Sequence, residues 1–180
     1  MTFTLSNETM WAIEQSSFEE MCGQLAQIDL SAISIPNRAQ SAKYRTIGRS
    51  ALIEINGVME KYRSLFGILF GGTSTIDVQN QVNAAAADPQ IEHIVLHIDS
   101  PGGTVAGTAD LADAVYRARQ AKPVSAFISD RGASAAYHVA SQANQIIANS
   151  TAMVGSVGVI TYLVDMSALF KKRGLRAIAI

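Results

Sequence analysis

Residues 91–103 read IEHIVLHIDSPGG, and this stretch decides the fold class. An apolar segment, residues 91–98, has the length of a strand, and its largely apolar composition predicts burial on both faces of a sheet. It runs directly into a proline–glycine turn, after which an alanine-rich helical pattern begins. The same order of strand, turn and helix recurs along the chain. That alternation predicts an α/β domain with a parallel sheet and right-handed crossovers.

The predicted elements extend outward from this stretch in both directions. Strands are predicted at residues 51–59, with a bend at Gly57, and at 91–98, 124–128, 145–148 and from 175 onward. Helices are predicted from a cap within residues 73–75 to residue 87, and at 105–120, 134–142 and 164–173. The strands at 91–98, 124–128 and 145–148 should be adjacent and parallel, with the turns after the first two at their carboxyl ends.

The amino-terminal residues do not follow this alternation. Apolar side chains at helical spacing predict one amphipathic helix over residues 8–27, followed by a polar arm over residues 31–44. We therefore predict two parts, an amino-terminal helix and arm (1–45) and an α/β domain (46–180). Trp11, Phe18 and the apolar segment 65–70 would expose large apolar surfaces, which predicts a homo-oligomer.

Composition excludes several classes of protein. The chain has 180 residues, 48% of them hydrophobic and 16% charged, with a formal net charge of −1. A disordered chain would be less apolar, and a nucleic-acid-binding protein would be more basic. No apolar run has the roughly 20 residues of a membrane-spanning helix, and no secretory signal is recognisable. One cysteine, Cys22, allows no disulfide and no paired-cysteine metal site, so we expect a cytoplasmic protein without metal or cofactor.

The turn at residues 99–104, DSPGGT, is a candidate anion-binding site. Consecutive glycines at Gly102 and Gly103 leave backbone N–H groups uncovered at the start of a helix. The anion could be a phosphate or the oxyanion that forms during acyl transfer. The alternative is an ordinary tight turn that needs glycine for its backbone angles.

A second turn, residues 130–137, reads DRGASAAY and places a serine among small residues. Ser134 begins a predicted helix directly after a buried strand, and the backbone N–H of Ala135 can point toward the same oxyanion. Small neighbours would let a substrate backbone approach the hydroxyl. The alternative is that Ser134 only caps its helix, a role that serine performs well.

These two turns, followed by IIAN at 146–149 and VGSVGV at 154–159, resemble the S49 peptidase family. The likeness covers residues 52–180, and the GGTS segment at 71–74 resembles the phage capsid-protease branch in particular. The resemblance implies a ClpP/crotonase-type fold and a Ser–Lys dyad. It places the nucleophile on Ser134 and the oxyanion donors on Gly102, Gly103 and Ala135.

The resemblance also implies a lysine general base in a loop after the strand that begins at Leu175. No lysine follows Lys172 in this sequence, so we expect a truncated or processed chain whose base lies beyond Ile180. Lys171 and Lys172 fit a solvated helix end, and the remaining lysines, Lys43, Lys61 and Lys122, lie in surface loops or at element ends. His138, one turn after Ser134, is a weaker candidate because it lies on the nucleophile's own helix.

The expected function is therefore serine endopeptidase activity on protein or peptide substrates. The phage-like features suggest capsid or scaffold protein as the substrate. If the chain is of phage origin, it would act in the host cytoplasm or in the virion. One alternative is a non-catalytic assembly subunit, or an inactive fragment, with the same fold. Another is a crotonase-like acyl-thioester enzyme, which would need carboxylates at the site. An α/β-hydrolase is excluded because no histidine follows His138.

Overall fold

The computed structural model describes residues 11–25, 43–64, 67, 71–160, 172 and 174. The strands within these ranges are β1 (Trp11–Ile13), β2 (Arg45–Ile47), β3 (Ser50–Asn56), β4 (Met59–Glu60), β5 (Thr73–Ser74), β6 (His93–Ser100), β7 (Gly102–Thr104), β8 (Val124–Ala133), β9 (Gln145–Ala148) and β10 (Met153–Gly155). The helices are α1 (Gln15–Leu25), α2 (Thr75–Ala87), α3 (Thr108–Ala121) and α4 (Ala135–Ala140).

The larger sheet has six strands in the order β10–β8–β6–β3–β2, with β9 also paired to β8. Strands β3, β6, β8, β9 and β10 run parallel, and only the hairpin partner β2 is antiparallel. The predicted strands at 91–98, 124–128 and 145–148 are therefore adjacent and parallel, as expected. The α/β class and the parallel sheet predicted from the sequence are confirmed.

The core lies between one face of this sheet and helices α2 and α3. The largest buried side chains on the sheet include Ile53, Leu96 and Ile128, and the helices bury Val82 and Leu111 against them. Each such side chain contributes about 1.5–3 kcal/mol through the hydrophobic effect. This packing holds β6 and β8, the two strands that carry the candidate turns.

The prediction that strand 91–98 is buried on both faces is wrong. Burial alternates along β6, and the face that carries His93 and His97 is only half-buried. His93 Nε2 lies 3.0 Å from Ser125 Oγ, and the His97 ring stacks on Phe127 with centroids 5.7 Å apart. Val95 lies on the same half-buried face as the two histidines, so the apolar count overstated the burial.

A second, smaller sheet has the order β1–β7–β4–β5 and lies at the end of β6. Strand β3 reaches it through Gly57, whose φ of 62° produces the predicted bend. The Gly57 N–H donates to the Asp99 carbonyl at 2.9 Å, which fixes the bend beside the end of β6. The strand predicted over 51–59 is thus divided between the two sheets.

Helix α2 has the predicted cap and end. Ser74 Oγ accepts a hydrogen bond from the Asp77 N–H at 3.2 Å, and the helix ends at Ala87, before Asp88 and Pro89.

The helix predicted over residues 105–120 begins at Thr108 rather than at residue 105. Gly107 has a φ of 86°, which is incompatible with a helix continuing through it.

The amino-terminal prediction is only partly correct. The single helix predicted over 8–27 is replaced by strand β1 and then α1, and the hairpin strand β2 was not foreseen. Glu14 separates β1 from α1, because its carboxylate accepts hydrogen bonds from the N–H groups of Ser16 and Ser17 at 2.9 Å. The Ser16 hydroxyl and these amides together lower the pKa of Glu14 to about 2, against the penalty of partial burial.

Several predictions lie outside the described residues. These are the arm up to residue 42, most of the apolar segment 65–70, the helix at 164–173 apart from Lys172, and the strand from 175. The side chains of Trp11 and Phe18 are likewise outside the description, so the apolar surfaces proposed there stay predictions, as does the domain boundary at residue 45.

Candidate active site

The two turns singled out in the sequence lie at the same end of the larger sheet. Strands β6 and β8 are parallel neighbours, and their last pair joins Ser100 to Gly132. Gly102 follows the first of these residues by two positions, and Ser134 follows the second by two. Helix α4, which begins after Ser134, packs against β7, which contains Gly102 and Gly103. The fold therefore brings the glycine turn and the serine turn together.

Ser134 has an uncommon backbone conformation for a residue with a side chain. Its φ is 50° and its ψ is −113°, and it is 6% exposed. Such a conformation costs about 1–3 kcal/mol and persists only where the surrounding structure holds it. The Ser134 N–H donates to the Gly155 carbonyl at 2.7 Å, which anchors the turn to β10. Strain of this kind concentrates at functional sites.

The Ser134 hydroxyl does not cap helix α4. Ser134 occupies the N-cap position, but its side chain makes no capping hydrogen bond. Oγ instead donates to the Gly158 carbonyl at 3.2 Å. The capping role that the sequence left open is therefore wrong, and the hydroxyl points out of the helix toward the segment that follows β10.

Gly132 allows the strand to approach this turn closely. A Cβ atom at Gly132 would lie 2.5 Å from the Ile128 Cδ1 atom, inside van der Waals contact. Gly132 is paired with Val154 of β10, and Ala133 is paired with Gly155. The missing side chain at Gly132 thus leaves room for Ile128 of the same strand, and the small residues Gly132 and Ala133 pair closely with β10.

The glycine turn distinguishes between its two candidate oxyanion donors. The Gly102 N–H donates to Ser100 Oγ at 3.1 Å, and that hydroxyl donates to the Gly57 carbonyl at 2.6 Å. Gly102 therefore uses its amide inside the turn, and its φ of 97° requires glycine. The oxyanion roles of Gly102 and Gly103 stay predictions, and the pairing of the Gly102 amide within the turn makes Gly103 the stronger candidate of the two.

Gly103 is required for a different reason. A Cβ atom at this position would overlap the Met59 carbonyl oxygen of the neighbouring strand β4. On the other side of the site, Ala135 is the first residue of α4, and its N–H has no acceptor within the helix. The amides of Gly103 and Ala135 are thus the two candidate donors for negative charge beside Ser134.

A cavity of about 480 Å³ opens at Ser134. Its lining is mainly apolar and includes Val105, Ala109, Val157 and Val159, with Thr108, Tyr137, His138 and Ser141 as the polar side chains. None of the described lining residues is a carboxylate. The cavity has the size and apolar lining of a ligand pocket, and its described lining includes the Ser134 hydroxyl and no carboxylate.

No lysine in the described part of the chain is arranged as a base for Ser134. Lys122 Nζ donates to the carbonyls of Ala85 and Asp88 at 2.9 and 2.5 Å, at the end of α2. Lys43 pairs with Asp88 at 3.4 Å, and Lys61 Nζ lies 6.0 Å from the centre of the Tyr62 ring. Lys172 is exposed, and Lys171 lies outside the described residues.

His138 lines the cavity but does not receive the Ser134 hydroxyl. Its backbone N–H donates to the Ser134 carbonyl at 2.9 Å, as expected for the first turn of a helix. Its imidazole is exposed, and the acceptor for Ser134 Oγ is the Gly158 carbonyl. His138, on the helix that follows Ser134, is therefore not engaged as a base in this arrangement.

Two contributors to the site were not identified from the residues alone. The segment from Gly155 to Gly158 holds both the amide and the hydroxyl of Ser134, although the sequence signalled it only through its glycine spacing. Arg131 donates to Ser17 Oγ at 3.0 Å and lies 3.9 Å from the Asp99 carboxylate. Arg131 thus links α1 to the strand that carries Ser134.

Among the residues described, no three or more His, Cys, Asp or Glu side chains are grouped so that they could hold a metal ion. No helix in that part of the chain is both long enough and apolar enough to cross a membrane.

Comparison with known proteins gives consistent similarities. A sequence model described as "Peptidase family S49" matches residues 117–180. The capsid assembly protease C of Escherichia phage lambda is 32% identical over 76% of this chain and 31% of its own length. The head-tail preconnector protein GP5 of Enterobacteria phage P21 is 33% identical over 73% of this chain and 26% of its own length. This chain thus spans less than a third of either phage protein.

The fold has solved counterparts. A crystal structure of an enoyl-CoA hydratase/isomerase family member superposes with a TM-score of 0.51 at 16% sequence identity, covering 74% of this chain and 52% of the other. At that identity the likeness concerns the fold only. The crotonase-type architecture expected from the sequence is therefore confirmed.

Proposed function

The chain belongs to peptidase family S49, and from this premise we propose that it carries the nucleophile and oxyanion site of a serine endopeptidase. Ser134 attacks the carbonyl carbon of a peptide bond and forms an acyl-enzyme, and the amine half of the substrate leaves with a proton. Water then hydrolyses the acyl-enzyme and regenerates the serine. The N–H groups of Gly103 and Ala135 stabilise the oxyanion in both steps.

The observation that carries this proposal is the orientation of the Ser134 hydroxyl. A capping serine would bond its own helix, whereas Ser134 Oγ leaves the helix, donates to the Gly158 carbonyl and borders the cavity. The strained backbone keeps it there at a cost in stability. The absence of carboxylates from the described lining argues against a crotonase-like thioester reaction, which would need acid or base groups at this place.

The general base in this proposal is a lysine, as in the Ser–Lys dyad that the family resemblance implies. Lys122 and Lys43 are engaged elsewhere and Lys61 lies beside the Tyr62 ring, so the resemblance favours, as the base, a lysine that would follow Ile180 in a longer chain. The lysine must be neutral to accept the serine proton, and a desolvated position would lower its pKa accordingly. His138 is the alternative base.

The proposed substrate is a polypeptide with a small or apolar side chain next to the cleaved bond. The valines and alanines that line the cavity favour such side chains and disfavour charged ones. Similarity to phage capsid-assembly proteins supports capsid or scaffold protein as the natural substrate. We further propose that the protein works as a homo-oligomer, in the host cytoplasm or the virion if it is of phage origin.

The test compares the turnover of fluorescein-labelled casein by the chain 1–180, by a chain extended through the next lysine, and by Ser134→Ala in the extended chain. We expect the extended chain to cleave casein and the chain 1–180 to be slower by about 10²–10⁴-fold, the usual effect of losing a general base. Ser134→Ala should abolish turnover. The matched control is Ser129→Ala, which removes a serine hydroxyl from the same strand and should leave turnover unchanged.

Each failure has a distinct meaning. Full activity in the chain 1–180 would contradict the lysine assignment and favour His138. Unchanged activity after Ser134→Ala would remove Ser134 as the nucleophile. An extended chain that is folded and oligomeric but never cleaves protein would favour the non-catalytic assembly subunit instead.

A further inference from the structure

Strand β7 has two edges, and the chain itself covers both. One edge pairs with β4, where Met59 is opposite Gly103. The other edge pairs in antiparallel fashion with β1, with Ala12 opposite Gly103 and Ile13 opposite Gly102. The strand that contains the candidate oxyanion donor is therefore flanked by the chain's own amino-terminal residues.

The hydrogen-bond pattern indicates which edge the Gly103 amide faces. The Glu14 N–H donates to the Pro101 carbonyl at 2.8 Å, next to the Ile13–Gly102 pair. In an antiparallel ladder, a bond of this kind flanks a non-hydrogen-bonded pair, and its companion runs between the next residues along the two strands. That companion joins the Gly103 N–H to the Ala12 carbonyl. The Gly103 amide thus faces β1 rather than β4.

This edge is the one at which a substrate would meet the oxyanion donor. An extended peptide commonly binds by adding a strand to a sheet edge, with main-chain hydrogen bonds providing the affinity. A peptide placed against Gly103 in this way would present a backbone carbonyl to the same amide that the Ala12 carbonyl now occupies. The peptide and β1 therefore compete for one set of backbone groups.

Two attachments of β1 and α1 lie among the described side chains. Ile13 is buried, 2% exposed, and the Arg131 guanidinium donates to Ser17 Oγ at 3.0 Å. The outward residues of α1 that the structure describes, such as Gln15 and Gly23, are exposed. A strand of three residues forms few ladder hydrogen bonds, and short elements at a chain terminus or sheet edge open locally more easily than the core strands.

We propose that β1 is an intramolecular strand that blocks the peptide-binding edge of β7, so that a polypeptide substrate binds only after residues 11–13 have left it. This inference rests on the proposed function, because it assumes that the Gly103 edge receives substrate. It makes the amino-terminal segment an autoinhibitory element that sets the apparent affinity for substrate. Since the apparent Kd is the intrinsic Kd divided by the fraction of open molecules, releasing β1 tightens binding.

The test uses Ile13→Asp, which places a charge at the buried anchor and releases β1, in a Ser134→Ala background that binds without cleaving. The control is Ile47→Asp, the same substitution at a residue that is 60% exposed on β2. Binding of fluorescein-labelled casein is followed by anisotropy, and exchange of the Gly103 amide is followed by NMR. We expect the Kd for casein to fall about tenfold and the Gly103 amide to exchange at least tenfold faster in Ile13→Asp, and neither to change in Ile47→Asp.

Slow exchange of the β3 and β6 amides verifies that Ile13→Asp remains folded. If Ile13→Asp does not fold, Ala12→Pro, which removes a ladder N–H from β1, is the second variant that releases β1. A Gly103 amide that exchanges freely before any substitution would overturn the inference. So would an unchanged or higher Kd once that amide has been released. If β1 release tightens casein binding while chains with Ser134 never cleave it, the proposed peptidase function fails and the competition by β1 stands.

Discussion

At the residue scale, the candidate site depends on backbone geometry as much as on side chains. Ser134 has a φ of 50°, and Gly103 lies so close to β4 that a methyl group would overlap the Met59 carbonyl oxygen. The serine conformation directs Oγ away from its helix, and the missing side chain at Gly103 lets β7 pair closely with β4.

Gly103→Ala should therefore damage both the fold and the activity. The new methyl group meets backbone rather than a flexible side chain, so β4 and β7 have to separate, at a cost of about 1–3 kcal/mol. We expect a lower urea midpoint and a loss of casein turnover of at least about tenfold in the chain extended through the lysine. The matched control is Gly23→Ala in α1, where a Cβ has nothing within 4 Å and stability should be unchanged or slightly higher. Equal behaviour of the two variants would contradict the close approach at Gly103.

At the scale of single elements, helix α2 is held at both ends by side chains. Ser74 caps its beginning, and Lys122 crosses from the end of α3 to bind the carbonyls of Ala85 and Asp88. A cation at a helix carboxyl end complements the helix dipole as well as the unpaired carbonyls. This explains why Lys122, a conceivable base from the sequence, is a structural residue.

Lys122→Met should lower stability without affecting catalysis. Two hydrogen bonds from a charged group are lost, which predicts a loss of about 1–2 kcal/mol in the free energy of unfolding. Casein turnover by the extended chain, measured well below the denaturation midpoint, should stay the same. Lys61→Met is the comparison, since the Lys61 ammonium lies 6.0 Å from the centre of the Tyr62 ring and the substitution should cost less than about 0.5 kcal/mol. A turnover loss specific to Lys122→Met would instead implicate this lysine in the reaction.

At the scale of the whole molecule, one carboxylate joins the segment before β2 to the end of α2. Asp88 Oδ2 accepts a hydrogen bond from the Tyr44 hydroxyl at 2.6 Å and pairs with Lys43 at 3.4 Å. The Tyr44 hydrogen bond, with the Gln90 amide and Lys43, lowers the pKa of Asp88 from 3.8 to about 2. Because the folded-state pKa is depressed, the stabilisation is complete above about pH 5 and is lost progressively as the pH falls toward 2.

Asp88→Asn should consequently flatten the acid limb of the stability profile. The wild-type urea midpoint should fall between pH 5 and pH 2, and that fall should be smaller in Asp88→Asn, which is already less stable at pH 5. Glu14, whose pKa is also lowered to about 2, contributes in the same window, so some acid sensitivity should remain. Identical pH profiles for the two proteins would show that Asp88 is not linked to folding in this way.

Local patterns in the sequence determined the class of fold and the position of the candidate serine. Apolar runs separated by proline–glycine and serine turns predicted the parallel strands, and Ser74, Pro89 and Gly57 marked a cap, a helix end and a bend because their backbone preferences are local. The two candidate turns were identifiable because they directly follow predicted strands, and parallel strands bring their carboxyl ends to one edge.

Contacts between distant residues decided the rest, and no local signal carries them. The apolar count of β6 did not reveal that one face stays half-buried, since burial depends on whether another layer covers the sheet. Residues 11–13, which helical spacing placed in a helix, form a strand paired with β7 instead. Pairing with an existing strand satisfies backbone groups that an isolated helix turn leaves to water. The same physics pairs the Gly102 amide within its own turn and pairs β7 with β1. Sequence alone therefore located the two candidate turns, and the tertiary structure decided which of their backbone groups are paired within the chain.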